Sequence, residues 1–361
     1  AIKINPEFAM AYFNLANILI KFANQSEDTF KLQQTIIPLN KVIQLNPNFA
    51  EAFLLIGDIL LGLDRDKEAE KYIKKAIELD SHNPNNYTIL GKVYNKLGKQ
   101  KEAEKLFRRA LKLDPKLESA HFNLGISYLI KNNLDCAIES FKTAKKIKPE
   151  EKLNQILISF SEAKKSEQIT SSSFSITDES NKDQGLDNNP LILNRKVESE
   201  LINSIYKIKN ISHIRGGDPS FGDTEGSTYD FLDNDISIIK VLKKDLISIL
   251  KDNLKRNIFI HTSFSTILGK SGGGLNKHNH VGGLDLLKGI NLSKKKFSLI
   301  YYLSIGDQNC SEPGFLKLYE PEEKILPYEG MIITFPADRY HSVIYNGTKV
   351  RVAIVVNYYA I

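Results

Sequence analysis

Cysteine is nearly missing from this chain. Cys136 and Cys310 are the only two in 361 residues, one in each half. A disulfide framework needs several cysteines and a thiolate zinc site needs them in pairs, so neither is expected. Such sparing use fits a reducing compartment, and the expected location is the cytoplasm. Long apolar runs are missing too. None approaches the roughly 18 residues of a membrane span, so no membrane partner is expected. Charge of one sign is scarcely in excess, with 49 basic against 43 acidic residues and a net +6. Nucleic-acid binding would need a clustered basic stripe, so no such partner is expected either. A starting Met is also lacking. The chain opens Ala1-Ile2-Lys3-Ile4-Asn5-Pro6, which repeats the close of the units described next, and it is read as a fragment or a processed chain. The remainder is ordinary for a folded protein: 42% hydrophobic, 25% charged, and long enough for two or three domains.

Internal repetition is the strongest pattern present. Gly57, Gly91 and Gly125 are spaced by 34 residues, as are Ala69, Ala103 and Ala137, then Ala76, Ala110 and Ala144. Ile73, Phe107 and Phe141 keep the same step, and Pro47, Pro115 and Pro149 lie on that lattice with Ser81 in the open slot. The columns have a physical reading. The glycines mark close contact between two helices of a hairpin, and the alanines let the second helix lie against the first. Proline cannot continue a helix, so it separates one repeat from the next.

These columns resemble the tetratricopeptide repeat family over roughly residues 1–150. An earlier copy runs from Pro6 with Ala16 in the Gly57 slot, and it is 41 residues long. The extra seven residues are placed near Gln25–Leu32, in the turn between its helices. A helix over about Glu151–Glu167 is expected to cap the stack. Repeats of this type stack into a superhelix with a concave face. The resemblance implies a protein or peptide partner in that groove; a simple spacer is the other reading.

From Ser166 to about Pro190 the chain turns polar and loses its period, as in Ser171-Ser172-Ser173 and Thr177 to Asp183. This reads as a flexible linker. The expected organisation is a repeat array with its cap over 1–165, a linker over 166–190 and a second domain over 191–361. In that domain, Val197–Lys209 and Ile236–Leu254 read as amphipathic helices, the second with Ile238, Leu242, Leu246 and Leu250 on one stripe. Between them Arg215–Asp223 is glycine-rich, either a loop over a site or a connector. Beyond Lys255 six short segments read as strands: Asn257–Ile267, Phe297–Ser304, Gly314–Tyr319, Gly330–Phe335, His341–Tyr345 and Arg351–Asn357. Many short strands broken by turns suggest a sandwich or jelly roll. The fold class is therefore multidomain: an all-α repeat superhelix, then an α+β domain with a double-stranded β-helix core.

Candidate chemistry gathers in that second domain. His278-Asn279-His280 follows a glycine run, His341 comes 61 residues later after Phe335-Pro336-Ala337, and Arg351 follows ten residues on. In a strand, residues i and i+2 share a face, so His278 and His280 could reach one metal together. His341, opening another strand, would supply the third ligand. Three ligands on one side leave open positions on an octahedral metal, as non-haem iron oxygenases require. The other histidines, His82, His121, His213 and His261, have no partner at ligand spacing and are read as structural. Gly269-Lys270-Ser271 lacks the glycine of a phosphate loop, because position 264 is Phe. The run Lys294-Lys295-Lys296 reads as a solvated turn.

This pattern is similar to the 2-oxoglutarate- and iron(II)-dependent oxygenases, especially the prolyl-4-hydroxylase-like branch. Ser298–Leu303 and Pro327–Pro336 fit the same resemblance, which covers about residues 255–361. It implies a hydroxylase using Fe(II), with 2-oxoglutarate as co-substrate. His278 matches the first metal ligand and His341 the last. Arg351 matches the residue that pairs with the distal carboxylate of 2-oxoglutarate, a task suited to a two-pronged guanidinium. Tyr301 or Tyr302 could add a hydroxyl there, but their side chains point to opposite faces and only one can do so.

One position departs from the family. His280 stands where the common pattern has Asp or Glu, and three imidazoles form a neutral set. Asp285 is the nearest acid, at poor spacing for the same face. Two other readings stay open. The jelly roll could be degenerate, leaving a non-catalytic repeat scaffold, or the three histidines could serve a cupin-like thiol dioxygenase without 2-oxoglutarate. Arg351 argues against the latter, because a buried arginine needs a carboxylate.

Overall fold

A computed structural model describes residues 5–26, 29–173, 189–208, 212–213, 224–226, 230–269, 273–282, 285, 290 and 292–361. The glycine-rich segment 215–223 and residues 174–188 of the expected linker lie outside these. Two units result, Ala1–Glu167 and Gln168–Ile361. Among the described residues no helix is long and apolar enough to cross a membrane.

The first unit is all helix: α1 (Ala9–Ser26), α2 (Thr29–Gln34), α3 (Ile36–Leu45), α4 (Ala50–Gly62), α5 (Asp66–Leu79), α6 (Pro84–Lys96), α7 (Gln100–Leu113), α8 (Glu118–Ile130), α9 (Leu134–Ile147) and α10 (Lys152–Ser173). The glycine and aromatic columns meet in its hairpins. A Cβ on Gly91 would lie 2.4 Å from the Phe107 ring, on Gly125 2.6 Å from Phe141, and on Gly57 2.4 Å from Ile73. Those three partners and the alanines of both columns are fully buried. A further column sits at the hairpin turns. Asp64, Gly98 and Asn132, again 34 apart, take φ of 57°, 74° and 58°. Gly, Asn and Asp tolerate this left-handed backbone best, which explains the residue types found there.

Two expectations change here. The seven extra residues of the first copy do not form a plain turn. They lengthen α1 to Ser26 and add α2, after which Thr35 donates its hydroxyl to the Leu32 carbonyl at 2.6 Å. The capping helix also runs past Glu167 to Ser173, into the stretch read as linker. No Gly or Pro interrupts Lys152–Ser173, and its Glu, Lys and Gln residues are good helix formers.

The second unit is rich in antiparallel strands. It contains β1 (Leu191–Asn194), α11 (Ser199–Lys207), β2 (Ser212–His213), β3 (Thr224–Gly226), α12 (Ser237–Leu254), β4 (Ile258–Leu268), β5 (Gly273–His278), β6 (Lys296–Ser304), β7 (Pro313–Leu318), β8 (Glu323–Ile325), β9 (Met331–Pro336), β10 (His341–Tyr345) and β11 (Arg351–Ala360). A larger sheet has the order β1-β9-β6-β11-β4-β3-β2, and a smaller one β5-β10-β7-β8. All six expected strands are present. Five strands are additional: β5, which lies in a glycine-rich stretch, and the short β1, β2, β3 and β8, whose two to four residues each carry too little pattern to read.

Alternation on β11 sorts the interior into two cores. Val352, Ile354, Val356, Tyr358 and Ala360 face a core shared with Leu201 and Ile205 of α11 and with Ile239, Leu242, Leu246 and Leu250 of α12. Ile239, rather than Ile238, completes the buried stripe of α12. Ala353 and Val355 face the other way. They pack with Phe264, Ile300, Tyr302, Ile333 and Phe335 of the larger sheet and Leu316 and Leu318 of the smaller one. Helices therefore cover one face of the larger sheet and the smaller sheet covers the other. Each fully buried large apolar side chain contributes roughly 1.5–3 kcal/mol to this arrangement.

Candidate metal centre

Three imidazoles converge at one end of the smaller sheet. His278 closes β5 and His341 opens β10, and the two are paired residues of that antiparallel ladder. Their ring centroids are 4.3 Å apart. His280 lies two residues past the end of β5, so it joins them from a loop and not from the shared strand face that alternation suggests. Its backbone N–H donates to the Ala337 carbonyl at 2.8 Å, which fixes its approach. The ring centroid of His280 stands 5.0 Å from that of His278 and 4.9 Å from that of His341. One nitrogen from each ring lies within 4.8 Å of the others.

Protonation favours metal binding. Burial, reinforced by the charges of His341, His278 and Lys296, pulls His280 down to about 2. Burial, then His278, pulls His341 down to about 3 against the opposing Arg339 hydrogen bond. Both rings are therefore neutral near pH 7 and keep lone pairs to offer. The His341 tautomer follows from its partner. A carbonyl can only accept, so Nδ1–H donates to the Arg339 oxygen at 3.3 Å and Nε2 keeps its lone pair toward the cluster. Phe335 packs edge-on against that ring, with centroids 5.0 Å apart.

The cluster forms one wall of a pocket between the sheets, with about 540 Å³ of free space including its mouth. Phe264, Leu275, Ile300, Leu316, Val343 and Val355 line it, together with Arg351 and Tyr302. Arg351 is buried, and among the described residues it has no acidic partner. Its Nη1 donates to the Gly314 carbonyl at 2.5 Å, and its guanidinium lies over the Tyr302 ring, 5.0 Å from the centroid. Burial lowers its pKa, because charge without an anion is costly there. Gly314 is held at φ +82°, and a Cβ on it would collide with the guanidinium. Glycine is thus required at 314 for both conformation and space.

Tyr301 is corrected by this geometry. It occupies the opposite face of β6, in the helix-side core, where Arg195 Nη1 donates to its hydroxyl at 3.1 Å and that hydroxyl donates to the Lys196 carbonyl at 2.9 Å. Arg195 is also tied to Glu198 and Asp245, so this group belongs to the tether of residues 195–198. Tyr302 alone of the pair reaches the pocket. Lys296 is likewise corrected. It is no solvated turn residue but is buried at the start of β6, with its Nζ 2.7 Å from Asp285 Oδ2. Asp285 lies outside the imidazole cluster. Besides Lys296 it accepts from the Tyr359 hydroxyl at 2.6 Å and the Gly282 N–H at 2.8 Å. Asn357, which no sequence motif singles out, stands behind His280, with Nδ2 3.5 Å from the ring Nδ1 and 3.0 Å from Thr262 Oγ1. Its signal lies in alternation: it shares the face of β11 that carries Arg351, Ala353 and Val355.

The comparisons with known proteins concern the repeats. A family profile described as tetratricopeptide repeat matches residues 50–83 and 118–151, and one described as TPR repeat matches residues 91–130. No curated protein matches the chain. Among solved structures, YrrB, described as a TPR protein with an unusual peptide-binding site, is 25% identical with a TM-score of 0.36, over 46% of this chain and 82% of that one. PilF of Pseudomonas aeruginosa is 20% identical with a TM-score of 0.39, over 46% and 72%. MamA of Desulfovibrio magneticus RS-1 is 19% identical with a TM-score of 0.38, over 46% and 89%. Within the first unit, the hairpins over residues 50–151, with their columns of glycine, alanine and aromatic residues, are matched as tetratricopeptide repeats.

Proposed function

We infer that the second unit is an Fe(II)- and 2-oxoglutarate-dependent oxygenase, most simply a hydroxylase. The observation that carries this reading is one pocket lined by three converging imidazoles and by a buried arginine that has no acidic partner among the described residues. The sheet orders β4-β11-β6-β9 and β5-β10-β7-β8 support a double-stranded β-helix, in which distant strands bring such residues together.

His278, His280 and His341 would hold the metal, which when bound supplies the oxygen chemistry. A set without a carboxylate leaves the metal's positive charge uncompensated and so favours an anionic co-substrate beside it. Arg351 would receive the far carboxylate of 2-oxoglutarate through donors not used on Gly314, and Tyr302 sits under the guanidinium to limit its motion. Ile300, Leu316, Val343 and Val355 exclude water from the space between. In the first unit, stacked hairpins offer a groove for a protein or peptide, so the repeats would recruit a partner.

The test is anaerobic. Fe(II) with 2-oxoglutarate should give the weak visible charge-transfer band of a chelated keto acid, and oxygen should then release succinate. Iron uptake without a response to 2-oxoglutarate would point to a three-histidine dioxygenase. Failure to bind iron would leave a non-catalytic scaffold, the reading that His280 in place of an acid favours.

A further inference from the structure

Asn357 and His280 are joined in a way that a metal would have to reverse. The hydrogen bonds of the cluster run in one direction. His341 Nδ1–H must donate to the Arg339 carbonyl, so His341 Nε2 is an acceptor. His280 Nε2 lies 3.2 Å from that acceptor and therefore carries the proton in the metal-free network. His280 Nδ1 is then an acceptor, and it faces Asn357 Nδ2, which donates to it and to Thr262 Oγ1. This arrangement leaves Asn357 Oδ1 buried with no partner among the described residues.

A metal on His280 needs the Nε2 lone pair, and the proton must then sit on Nδ1. Nδ1–H would meet an amide N–H, two donors facing each other. Rotating the Asn357 amide by about half a turn removes the conflict, since the side-chain oxygen and nitrogen are nearly isosteric. Oδ1 would then accept from His280 Nδ1–H and from the Thr262 hydroxyl, while Nδ2 takes the place that now has no partner among the described residues.

We propose that Asn357 is a positioning residue whose amide reverses when a metal enters, carrying His280 from its Nε2–H to its Nδ1–H tautomer. The inference rests on the metal-centre reading and deepens it. Asparagine suits this position because it offers either a donor or an acceptor. Aspartate could only accept, and leucine could do neither.

Two measurements test it. The first is ¹⁵N NMR of the His280 ring in the full chain. Metal-free wild type should show Nε2–H and Asn357→Asp should show Nδ1–H. Identical tautomers in the two proteins would overturn the proposal without touching the metal reading. The second is titration with Co(II) alone. Wild type should bind one equivalent, and Asn357→Leu should bind about 10- to 100-fold more weakly, the usual cost of losing a partner behind a ligating histidine. Asn357→Asp should restore affinity, which a merely structural role would not predict. Equal affinity in wild type and Asn357→Leu would overturn the proposal. No uptake by wild type would remove the metal reading and this one with it.

Discussion

His278 and His341 face each other as paired residues across the β5–β10 ladder, their rings 4.3 Å apart, although they are distant in the chain. Burial keeps His280 and His341 of this cluster from taking a second ring proton. The consequence for folding has a definite sign. His280 and His341 have folded pKa values near 2 and 3, against 6.5 for a free imidazole. Between those limits the unfolded chain binds protons that the folded chain refuses. Their contribution is fully present above pH 6.5 and is lost as pH falls toward 3. Stability of the metal-free second unit should drop by up to about 2.7 kcal/mol per pH unit in that window. Urea unfolding at a series of pH values checks this, and the slope should shrink in the double variant His280→Gln/His341→Gln.

The repeats permit a packing prediction. A methyl group at Gly91 would enter the Phe107 ring, as one at Gly125 would enter Phe141. Gly91→Ala should therefore destabilise the first unit by about 1–3 kcal/mol through overpacking. Phe107→Ala opens a cavity instead and should cost about 3–5 kcal/mol. Combining Gly91→Ala with Phe107→Leu should recover part of the loss, because both changes act on the same space. Chemical denaturation followed by circular dichroism measures all three, together with Phe107→Leu alone. Strict addition of the two single costs would show that the columns do not share that contact.

Much of this architecture is legible in the sequence because the repeats write each contact three times. The 34-residue step alone pairs the glycine column with the aromatic one, and the six main strands carry both alternation and turn signals. The three imidazoles are legible as residue types, but not as a geometry. His280 enters from a loop held by Ala337, and no local pattern encodes that hydrogen bond. Lys296 reads as solvated because it sits in a lysine run, whereas its partner Asp285 is eleven residues earlier and Tyr359 comes from the last strand. Burial of a charge depends on residues that only tertiary structure assembles. Tyr301 and Tyr302 show the limit from the other side: alternation separates them, but only the position of the helices says which faces the pocket.

Arg351 yields a test of the co-substrate. Its guanidinium is buried over Tyr302 and bonded to Gly314, with no acid beside it among the described residues. Arg351→Ala should weaken 2-oxoglutarate binding by about 100-fold, the scale of a lost charge-assisted pair at roughly 2–3 kcal/mol. Metal affinity should change little. Arg351→Lys should recover only part, because an ammonium cannot form two parallel bonds to a carboxylate. Equilibrium dialysis with labelled 2-oxoglutarate under anaerobic conditions reads the effect. Unchanged binding in Arg351→Ala would place the co-substrate elsewhere or remove it.

The Asp285–Lys296 pair anchors the segment that carries His280, and its energetics can be separated from its role at the site. The two side chains are 2% and 5% exposed, and Tyr359 and Gly282 complete the carboxylate. Lys296→Met should cost about 3–5 kcal/mol, because it leaves a buried carboxylate without its cation. Asp285→Leu should cost a similar amount for the mirrored reason. The double variant should be less damaged than the sum of the singles, since neither charge is left alone and apolar groups replace both. Thermal unfolding reports this difference. Metal uptake reports something else: Asp285 also receives the Gly282 N–H, two residues beyond His280, so the double variant should hold metal less well even where its stability recovers. Full recovery of both quantities would mean that the pair holds the fold but does not position the imidazole.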